Sequence, residues 1–220
     1  GVVNTVFNRA DRIITLSNSV GIDLRDTFGI RDELMTTIYN PVDLESIRKS
    51  TSEPLSAPFT SIFTKQVLLT AGRLVEAKGQ WHLLRVFSEL KKRDSSLRLV
   101  ILGIGPLKDF LVELSRKLGL ETWVWDESEG RGAENADVVF AGFRVNPHAF
   151  MTNAELFVFP SVHEGLGSVI LEAMASDTTV VSADCRSGPR EILAPDTDPA
   201  QQTEEPEVTE FGLLLPSFDR

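Results

Sequence analysis

The sequence is short of cysteine, of basic residues and of long apolar runs, and each shortage excludes a class of protein. Cys185 is the only cysteine in 220 residues, so no intramolecular disulfide is possible and a reducing compartment is indicated. Lysine and arginine total 22 against 32 aspartates and glutamates, which gives a net charge of −10. That balance argues against nucleic acid and anionic membrane surfaces as partners, because both need clustered basic residues.

Membrane spans and metal sites are not predicted either. No apolar run reaches the roughly 18 residues of a membrane helix, and the opening GVVNTVFNRADR lacks the pattern of a signal peptide. No His, Cys and Asp residues have metal-ligand spacing. We expect His82 on a helix surface, His148 at a helix start and His163 in a loop, and the three suggest no catalytic triad. The sequence thus predicts a cytoplasmic protein without a bound metal or other cofactor.

Six short apolar runs, each ending at a turn signal, do not alternate with polar residues. Strands buried on both faces, as in a parallel sheet, have this composition. The runs are VLLTAG (67–72), LRLVILG (97–103), VVFAG (138–142), LFVFPS (156–161), TVVSAD (179–184) and FGLLLP (211–216). Helical patterns lie between them over 78–93 and 106–120. Strands alternating with helices predict an α/β fold with a Rossmann-like, doubly wound parallel sheet, in which ligands bind at the carboxyl ends of the strands.

The remaining segments have different compositions. A seventh strand-like run, RIITLS (12–17), lies within residues 1–38, which we interpret as the tail of a preceding domain. The predicted main domain covers 39–216. Two acidic segments, 126–137 and 195–210, are poor in apolar residues and are expected to be solvated surface loops.

Two turns carry residues suited to bind a phosphorylated ligand. Arg73 and Lys78 flank a turn after the first strand run, where two cations could neutralise a diphosphate. A solvated Arg and Lys beside a tight turn is the alternative. In LGIGPL (102–107), Gly103 and Gly105 would let a ligand approach the backbone. A third glycine would complete the dinucleotide fingerprint, and its absence argues against a nicotinamide enzyme.

The stretch SVHEGLGSVILEAMA (161–175) is the most informative. Gly165 and Gly167 free the backbone where a helix begins, so the first N–H groups of that helix can face an anion or a hydroxyl. Glu164 can accept hydrogen bonds from a polyol. Glu172 lies among apolar neighbours, where a buried carboxylate needs hydrogen-bond donors, and a ribose diol supplies two. The alternative is an exposed glutamate on the solvated side of the helix.

This stretch resembles the E-x7-E signature of retaining GT-B glycosyltransferases of group 1, also called family 4. Other segments resemble the family's motifs in the family's order, over about residues 36–216: AGRLVEAKG, LVILGIGPL, VVFAGF, the signature itself, SGPREIL and GLLLP. The resemblance implies one half of a GT-B fold, the C-terminal half that binds the donor. The first half, which binds the acceptor, would be represented only by residues 1–38, and residues 217–220 would be a truncated C-terminal end.

The resemblance also implies roles for single residues. Arg73 and Lys78 would bind the donor's diphosphate, Glu164 would act at the donor sugar, and these three are the predicted catalytic residues. Glu172 would hold the ribose diol. The remaining predicted donor-binding residues are Gly103, Gly142, Phe143, Arg144, Gly165, Leu166, Gly167, Ser168 and Val169. The family's pattern is not followed at Ala77, Leu166, Asp177 and Thr178, which puts only the fine donor preference in doubt.

The function implied is transfer of a sugar from a UDP- or GDP-sugar to an acceptor hydroxyl with retention. The acceptor would be a saccharide, a lipid-linked saccharide or a small metabolite held by the first domain. Any membrane association, on the cytoplasmic face, would come through parts outside this chain. Two alternatives remain, a non-catalytic module that binds a nucleotide-sugar and a GT-B epimerase acting on sugar nucleotides.

Overall fold

A computed structural model of the chain describes residues 2–125 and 132–218. Within those ranges the helices are α1 (Val2–Phe7), α2 (Asn18–Phe28), α3 (Leu44–Thr51), α4 (Phe59–Ile62), α5 (Gln80–Arg93), α6 (Lys108–Lys117), α7 (His148–Met151), α8 (Ser168–Ala175) and α9 (Pro189–Leu193). The strands are β1 (Ile13–Thr15), β2 (Met35–Thr37), β3 (Val67–Ala71), β4 (Arg98–Leu102), β5 (Thr122–Val124), β6 (Val138–Gly142), β7 (Leu156–Phe159), β8 (Val180–Ala183), β9 (Glu207–Val208) and β10 (Leu213–Leu215).

Strands β3 to β10 form one sheet in the order β5-β6-β4-β3-β7-β8-β10-β9. Neighbouring strands are parallel except for β9, which is antiparallel to β10. The α/β class and the doubly wound parallel sheet are therefore confirmed, and each of the six apolar runs contains a strand. The short strands β2, β5 and β9 were not predicted.

The sheet separates two hydrophobic cores, as strands buried on both faces require. Alternate residues of β3 and β4 point to opposite faces. Leu69 and Val100 belong to the core that includes Phe59 and Phe150. Their neighbours Leu68 and Ile101 belong to the core under α5 and α6. Phe59 is 1% exposed, although it lies in the polar stretch between α3 and β3.

The chain order reverses in the middle of the sheet. From β3 the chain adds β4 and β6 on one side, and it then crosses to β7, β8 and β10 on the other side. Side chains that follow the carboxyl ends of β3 and β7 therefore converge at this switch point, where open α/β sheets bind ligands. The predicted residues Arg73 and Glu164 follow these two strands.

Residues before the main sheet form a separate small unit. Strand β1 pairs in parallel with β2, from Ile13 opposite Met35 to Thr15 opposite Thr37, and α2 connects them. The strand-like run RIITLS therefore contains a strand that has a parallel neighbour within the same small unit. The partner strand lies 22 positions later in the sequence. It was not predicted, because Met35–Thr37 is too short to be recognised by its pattern.

The acidic segment 195–210 is not simply a solvated loop, which corrects the prediction. Asp184, which is fully buried, accepts hydrogen bonds from Arg190 and from the Thr203 backbone N–H at 2.6 Å each. Arg190 also contacts Glu207 at 2.7 Å, and Glu207 begins β9. A buried ion pair thus anchors a segment whose composition is polar. Of the other acidic segment, residues 126–131 lie outside the described chain.

Candidate donor-binding site

One cavity of about 260 Å³ brings together the charged residues that the sequence singled out. Arg73 follows β3, Lys78 lies in the short 3-10 turn Glu76–Lys78, Glu164 lies in the loop after β7, and Glu172 is on α8. All four line the cavity, together with Ala71, Gly72, Pro147, Gly167, Ser168 and Val169. Residues separated by about 100 positions in sequence therefore face one space at the carboxyl edge of the sheet.

A second cavity, of about 290 Å³, adjoins the first. The two share Ala71, Gly72, Arg73 and Pro147 as lining residues. The second is otherwise lined by Leu102, Gly103, Ile104, Phe143 and Arg144. Its wall is mostly apolar. Two residues of that wall, Ile104 and Phe143, are 60% and 66% exposed. The pair of cavities forms an elongated site with charge at one end and an apolar recess at the other.

Lys78 and Glu164 form a salt bridge inside the first cavity. Their side chains are 24% and 10% exposed, so this pair is much less screened than a surface ion pair. The Lys78 ammonium also lies 5.6 Å from the centre of the Phe159 ring. Arg73, by contrast, is exposed, and within the described chain no salt bridge engages it. The two predicted cations are therefore not equivalent.

A glycine places Lys78 at the cavity. Gly79 ends the 3-10 turn with a φ of +63° and begins α5. A Cβ at this position would lie 2.0 Å from the carbonyl oxygen of Pro160. Only glycine lets the β3–α5 turn approach the end of β7 this closely, and that approach brings Lys78 to Glu164.

Glu172 is 37% exposed and lies opposite a histidine. Burial raises the pKa of Glu172 above its ordinary value, and the nearby His148 opposes that shift. The His148 Nε2 atom is 3.7 Å from a Glu172 carboxylate oxygen, and its ring is 17% exposed. The prediction gave His148 no role, because only the packing of α7 beside α8 shows its proximity to Glu172.

The loop before α8 presents a helix N-terminus to the cavity. Gly167 caps α8 with a φ of +80°, and the first N–H groups of a helix have no partner within the helix. Ser168 and Val169 line the cavity at this end. Leu166 does not, because its side chain is 4% exposed and belongs to the hydrophobic core. Gly165 and Gly142 are also not among the residues that line either cavity.

The side chain of Arg144 is held by two aromatic rings and a backbone carbonyl. Its guanidinium carbon lies 4.2 Å from the ring centre of Trp125 and 4.5 Å from that of Phe59, and it donates a hydrogen bond to the Ala141 carbonyl. Desolvation lowers the pKa of Arg144. The side chain thus braces the turn after β6, and the backbone of that turn, with Phe143, remains at the recess.

Gly103 is required for a reason that the sequence did not indicate. Its φ is +135°, and a Cβ there would lie 1.9 Å from the Gly72 carbonyl oxygen. The predicted reason was close approach of a ligand. The structure shows instead that the two turns at the ends of β3 and β4 pack backbone to backbone, and both turns line the second cavity.

The other two histidines line a separate groove. His82 stacks on Phe218 with ring centres 4.3 Å apart, and His163 is exposed. Both line a groove of about 840 Å³ with Trp81 and Phe110. Neither lines the cavity that contains Glu164.

Sequence comparisons decide the family. The family model "Glycosyl transferases group 1" matches residues 65–208, which include every predicted site residue. A second model, "Glycosyltransferase Family 4", matches residues 2–46. The chain belongs to the group 1 glycosyltransferases. As a member of that family it carries the charged cavity in the segment that the first model covers.

Curated relatives are about twice as long as this glycosyltransferase chain. An uncharacterized glycosyltransferase of Methanocaldococcus jannaschii is 34% identical over 83% of the chain and 42% of the relative. The N-acetylgalactosamine-N,N'-diacetylbacillosaminyl-diphospho-undecaprenol 4-alpha-N-acetylgalactosaminyltransferase of Campylobacter jejuni is 32% identical over 97% of the chain and 49% of the relative. The chain thus spans about half the length of the relatives it matches.

Solved structures show the same GT-B architecture. HepE of Anabaena in complex with UDP matches with a TM-score of 0.64 and 25% identity, over 87% of this chain and 49% of HepE. TarM of S. aureus matches with a TM-score of 0.70 at 20% identity, over 99% of this chain and 36% of TarM. The second likeness concerns the fold alone.

The described residues contain neither a membrane-spanning helix nor a group of metal-binding side chains. No helix in residues 2–125 or 132–218 is long and apolar enough to cross a membrane. Over the same ranges no three His, Cys, Asp or Glu side chains are grouped so that they could hold a metal ion.

Proposed function

We propose that the chain is the donor-binding domain, residues 39–216, of a glycosyltransferase that takes a sugar from a UDP-sugar and transfers it to an acceptor hydroxyl with retention. The observation that carries the proposal is the single cavity that holds Arg73, Lys78, Glu164 and Glu172 at the N-terminus of α8. Each group has a counterpart in a nucleotide-sugar, namely two phosphates, the sugar hydroxyls and the ribose diol.

The charges in the cavity suit a diphosphate. Arg73 offers a planar fork of donors and Lys78 a point charge, and the N-terminus of α8 adds N–H groups and a partial positive charge. Lys78 would stay between the phosphate and Glu164, so that its charge is shared. Such an arrangement would stabilise the departing diphosphate without a metal ion, because two cations and a helix end supply the positive charge.

The two carboxylates have different tasks in this scheme. Glu172 would accept hydrogen bonds from the ribose diol, and burial of its carboxylate favours a ligand that brings donors. Glu164 would face the donor sugar and, through Lys78, the leaving phosphate. The bond from the anomeric carbon to the diphosphate oxygen would break with its electron pair on that oxygen, and a bond to the acceptor oxygen would form on the same face of the sugar. The proton of the acceptor hydroxyl would pass to the leaving phosphate oxygen.

Relatives support the choice of UDP and of a saccharide acceptor. HepE, at 25% identity, has been solved with UDP bound. The Campylobacter jejuni relative transfers N-acetylgalactosamine to a saccharide linked to diphospho-undecaprenol, by its name. We propose an acceptor of that general kind, a saccharide or lipid-linked saccharide, held by a preceding domain. A GDP-sugar is the alternative donor, and a small metabolite is the alternative acceptor.

The proposal is tested by measuring ligand binding to the 220-residue chain. A panel of UDP-sugars and GDP-sugars would be compared by the shift in melting temperature and then by calorimetry. We expect a UDP-sugar to bind and Glu172→Gln to weaken that binding. If no member of the panel shifts the melting temperature, the chain is not a donor-binding domain.

The remaining alternatives are separated by assaying the reaction catalysed by the longer protein, meaning the proposed full-length glycosyltransferase that also includes the preceding, acceptor-binding domain. A transferase converts the donor into UDP and a new glycoside, whereas an epimerase returns an isomeric UDP-sugar. A module that only binds the donor yields neither product. We expect release of UDP that depends on added acceptor.

A further inference from the structure

Ser17 connects the small N-terminal unit to the loop of the proposed donor site. Ser17 follows β1, is fully buried and caps α2 by accepting from the Val20 N–H at 3.3 Å. Its hydroxyl donates to the carbonyl oxygen of Gly165 at 2.6 Å. Gly165 is the residue after Glu164, so a hydrogen bond across 148 positions fixes the backbone beside the proposed catalytic carboxylate.

Glu191 holds the same unit from the other side. Its carboxylate accepts from the backbone N–H groups of Asn18 and Ser19, at 2.8 Å each, and from the Ser19 hydroxyl. It also accepts from the Tyr39 hydroxyl at 2.9 Å. A carboxylate at the N-terminus of a helix is stabilised by the unpaired N–H groups there. Burial and the neighbouring Glu191 raise the pKa of Tyr39 to about 12, so Tyr39 remains a donor at neutral pH.

The loop 165–168 lies between Leu16 and Ser17 on one side and the segment that carries Glu191 on the other. The segment that carries Glu191 lies directly against it, since a Cβ on Gly188 would be 1.9 Å from the Leu166 carbonyl oxygen. Leu16 covers the other side, where its Cδ1 atom would be 3.8 Å from a Cβ on Gly165. At the far end of the loop, Asn40 Nδ2 lies 3.4 Å from the Ser168 hydroxyl.

From this arrangement we infer that Ser17 and Glu191 are positioning residues for the donor site, which set the backbone of residues 165–168 before a ligand binds. The inference rests on the proposed function. Backbone N–H groups bind an anion well only when they are already aligned, because ordering a glycine loop on binding costs conformational entropy. The first forty residues thus complete the site, although none of them lines either cavity.

The test compares UDP with uridine as ligands of the 220-residue chain. The loop is expected to contact the diphosphate, whereas the nucleoside is expected to bind at Glu172 and the apolar recess. Ser17→Ala and Glu191→Gln should therefore each raise the Kd for UDP roughly tenfold and raise the Kd for uridine less than about twofold. Ser17→Thr keeps the hydroxyl and the helix cap, so it should restore the affinity for UDP.

A matched control removes similar hydrogen bonds elsewhere. Asp94 accepts from the Ser96 N–H and hydroxyl at 2.8 and 2.6 Å, in the turn before β4 and so at the opposite edge of the sheet. Asp94→Ala should leave the UDP to uridine ratio unchanged. Melting temperatures of all variants show whether they fold, and Tyr39→Phe removes only one donor to Glu191 should Glu191→Gln not fold.

The outcomes separate this inference from the proposed function. Equal losses for UDP and uridine in the Ser17 and Glu191 variants would indicate a purely structural role and overturn the inference, as would unchanged affinities. A parent chain that binds neither UDP nor uridine contradicts the proposed function itself. A parent that binds UDP and is weakened by Glu172→Gln but not by Ser17→Ala contradicts only the inference.

Discussion

Glu172 is expected to bind the ribose of the donor through its carboxylate. A ribose diol donates hydrogen bonds to the ionised form, and each such bond to a charged group contributes roughly 1.5–3 kcal/mol. Glu172→Ala should therefore weaken the binding of uridine and UDP while leaving the weak binding of free uracil unchanged. Calorimetry with the three ligands checks this, and equal affinities of variant and parent for UDP would rule out the ribose assignment.

The direction of the pH dependence follows from the raised pKa of Glu172. Burial favours the neutral form, so on acidification Glu172 takes up a proton at a higher pH than an exposed glutamate would. The parent should lose affinity for uridine as the pH falls through that raised value, and Glu172→Gln should show a flat profile over the same range. His148 faces the carboxylate and favours its ionised form, so His148→Gln should move the loss of affinity to higher pH.

The salt bridge between Lys78 and Glu164 predicts that single substitutions are not additive. Lys78→Ala leaves the Glu164 carboxylate unpaired beside the bound diphosphate, so it should cost more affinity for UDP than Arg73→Ala does. Adding Glu164→Gln to Lys78→Ala should recover part of the loss, since the repulsion is removed. A double-mutant cycle measures the coupling.

Salt and nucleoside controls complete that test. The affinity of the parent for UDP should fall with added salt, while that for uridine should change little. If the variant lacking both Arg73 and Lys78 still prefers UDP over uridine as strongly as the parent does, the diphosphate binds elsewhere.

At the residue scale, the sequence predicts which charged side chains lie around one cavity better than it predicts their partners. Arg73, Lys78, Glu164 and Glu172 could be selected because they lie in segments that resemble the family's ordered motifs, whereas their spacing alone left a solvated alternative open. The contact of Lys78 with Glu164 spans 86 positions, and the bracing of Arg144 depends on Trp125 and Phe59. Such pairings depend on the packing of the sheet, which no local pattern encodes.

At the element scale, predictability follows length and composition. The strands β3, β4 and β6 have five residues each and are apolar except for Thr70 and Arg98, so their burial can be inferred. Strand β9 has two residues, Glu207–Val208, and its polar sequence predicts a loop. It is held by its pairing with β10 and by the ion pairs of Arg190 with Asp184 and Glu207, whose partners lie far enough apart in sequence that no local pattern shows them.

Removing that ion pair should destabilise the chain strongly. Arg190→Ala leaves Asp184, which is fully buried, without its cation, and an unpaired buried charge costs roughly 3–5 kcal/mol. Glu207→Ala should cost much less, because its side chain is 34% exposed. Urea unfolding of the two variants checks the order, and equal destabilisation would show that the charge of Asp184 is compensated by other groups.

Gly79, which ends the 3-10 turn, leads to a second prediction at the element scale. Gly79→Ala should both destabilise the chain and displace Lys78, because the new Cβ would lie 2.0 Å from the Pro160 carbonyl oxygen at a φ of +63°. Gly119→Ala is the matched control, since Gly119 has a φ of +76° and nothing within 4 Å of a Cβ. The control should show only the backbone strain, of order 1–3 kcal/mol, and normal affinity for UDP. An unaltered UDP affinity in Gly79→Ala would contradict the role of the turn.

At the scale of the whole molecule, binding of the donor and transfer of its sugar are expected to depend on different parts of the protein. The cavity that carries the proposal is formed by residues 71–172, and Ser17, Asn40 and Glu191 attach the small β1–α2–β2 unit to it. The chain spans about half the length of its relatives, and the acceptor is proposed to bind in a preceding domain. The 220 residues should therefore contain the determinants of donor affinity without those of acceptor affinity.

The last prediction follows from that separation. Transfer needs an acceptor hydroxyl held against the anomeric carbon, and such positioning contributes about 7–11 kcal/mol to reactions of this kind. The purified chain should therefore bind a UDP-sugar and yet show no transfer to saccharide or lipid-linked saccharide acceptors, whereas the longer protein transfers with the same donor. Donor binding by calorimetry and product formation from a radiolabelled donor would be measured on both proteins. Steady transfer by the 220-residue chain, at a rate like that of the longer protein, would show that these residues also bind the acceptor and that the proposed division between the two domains is wrong.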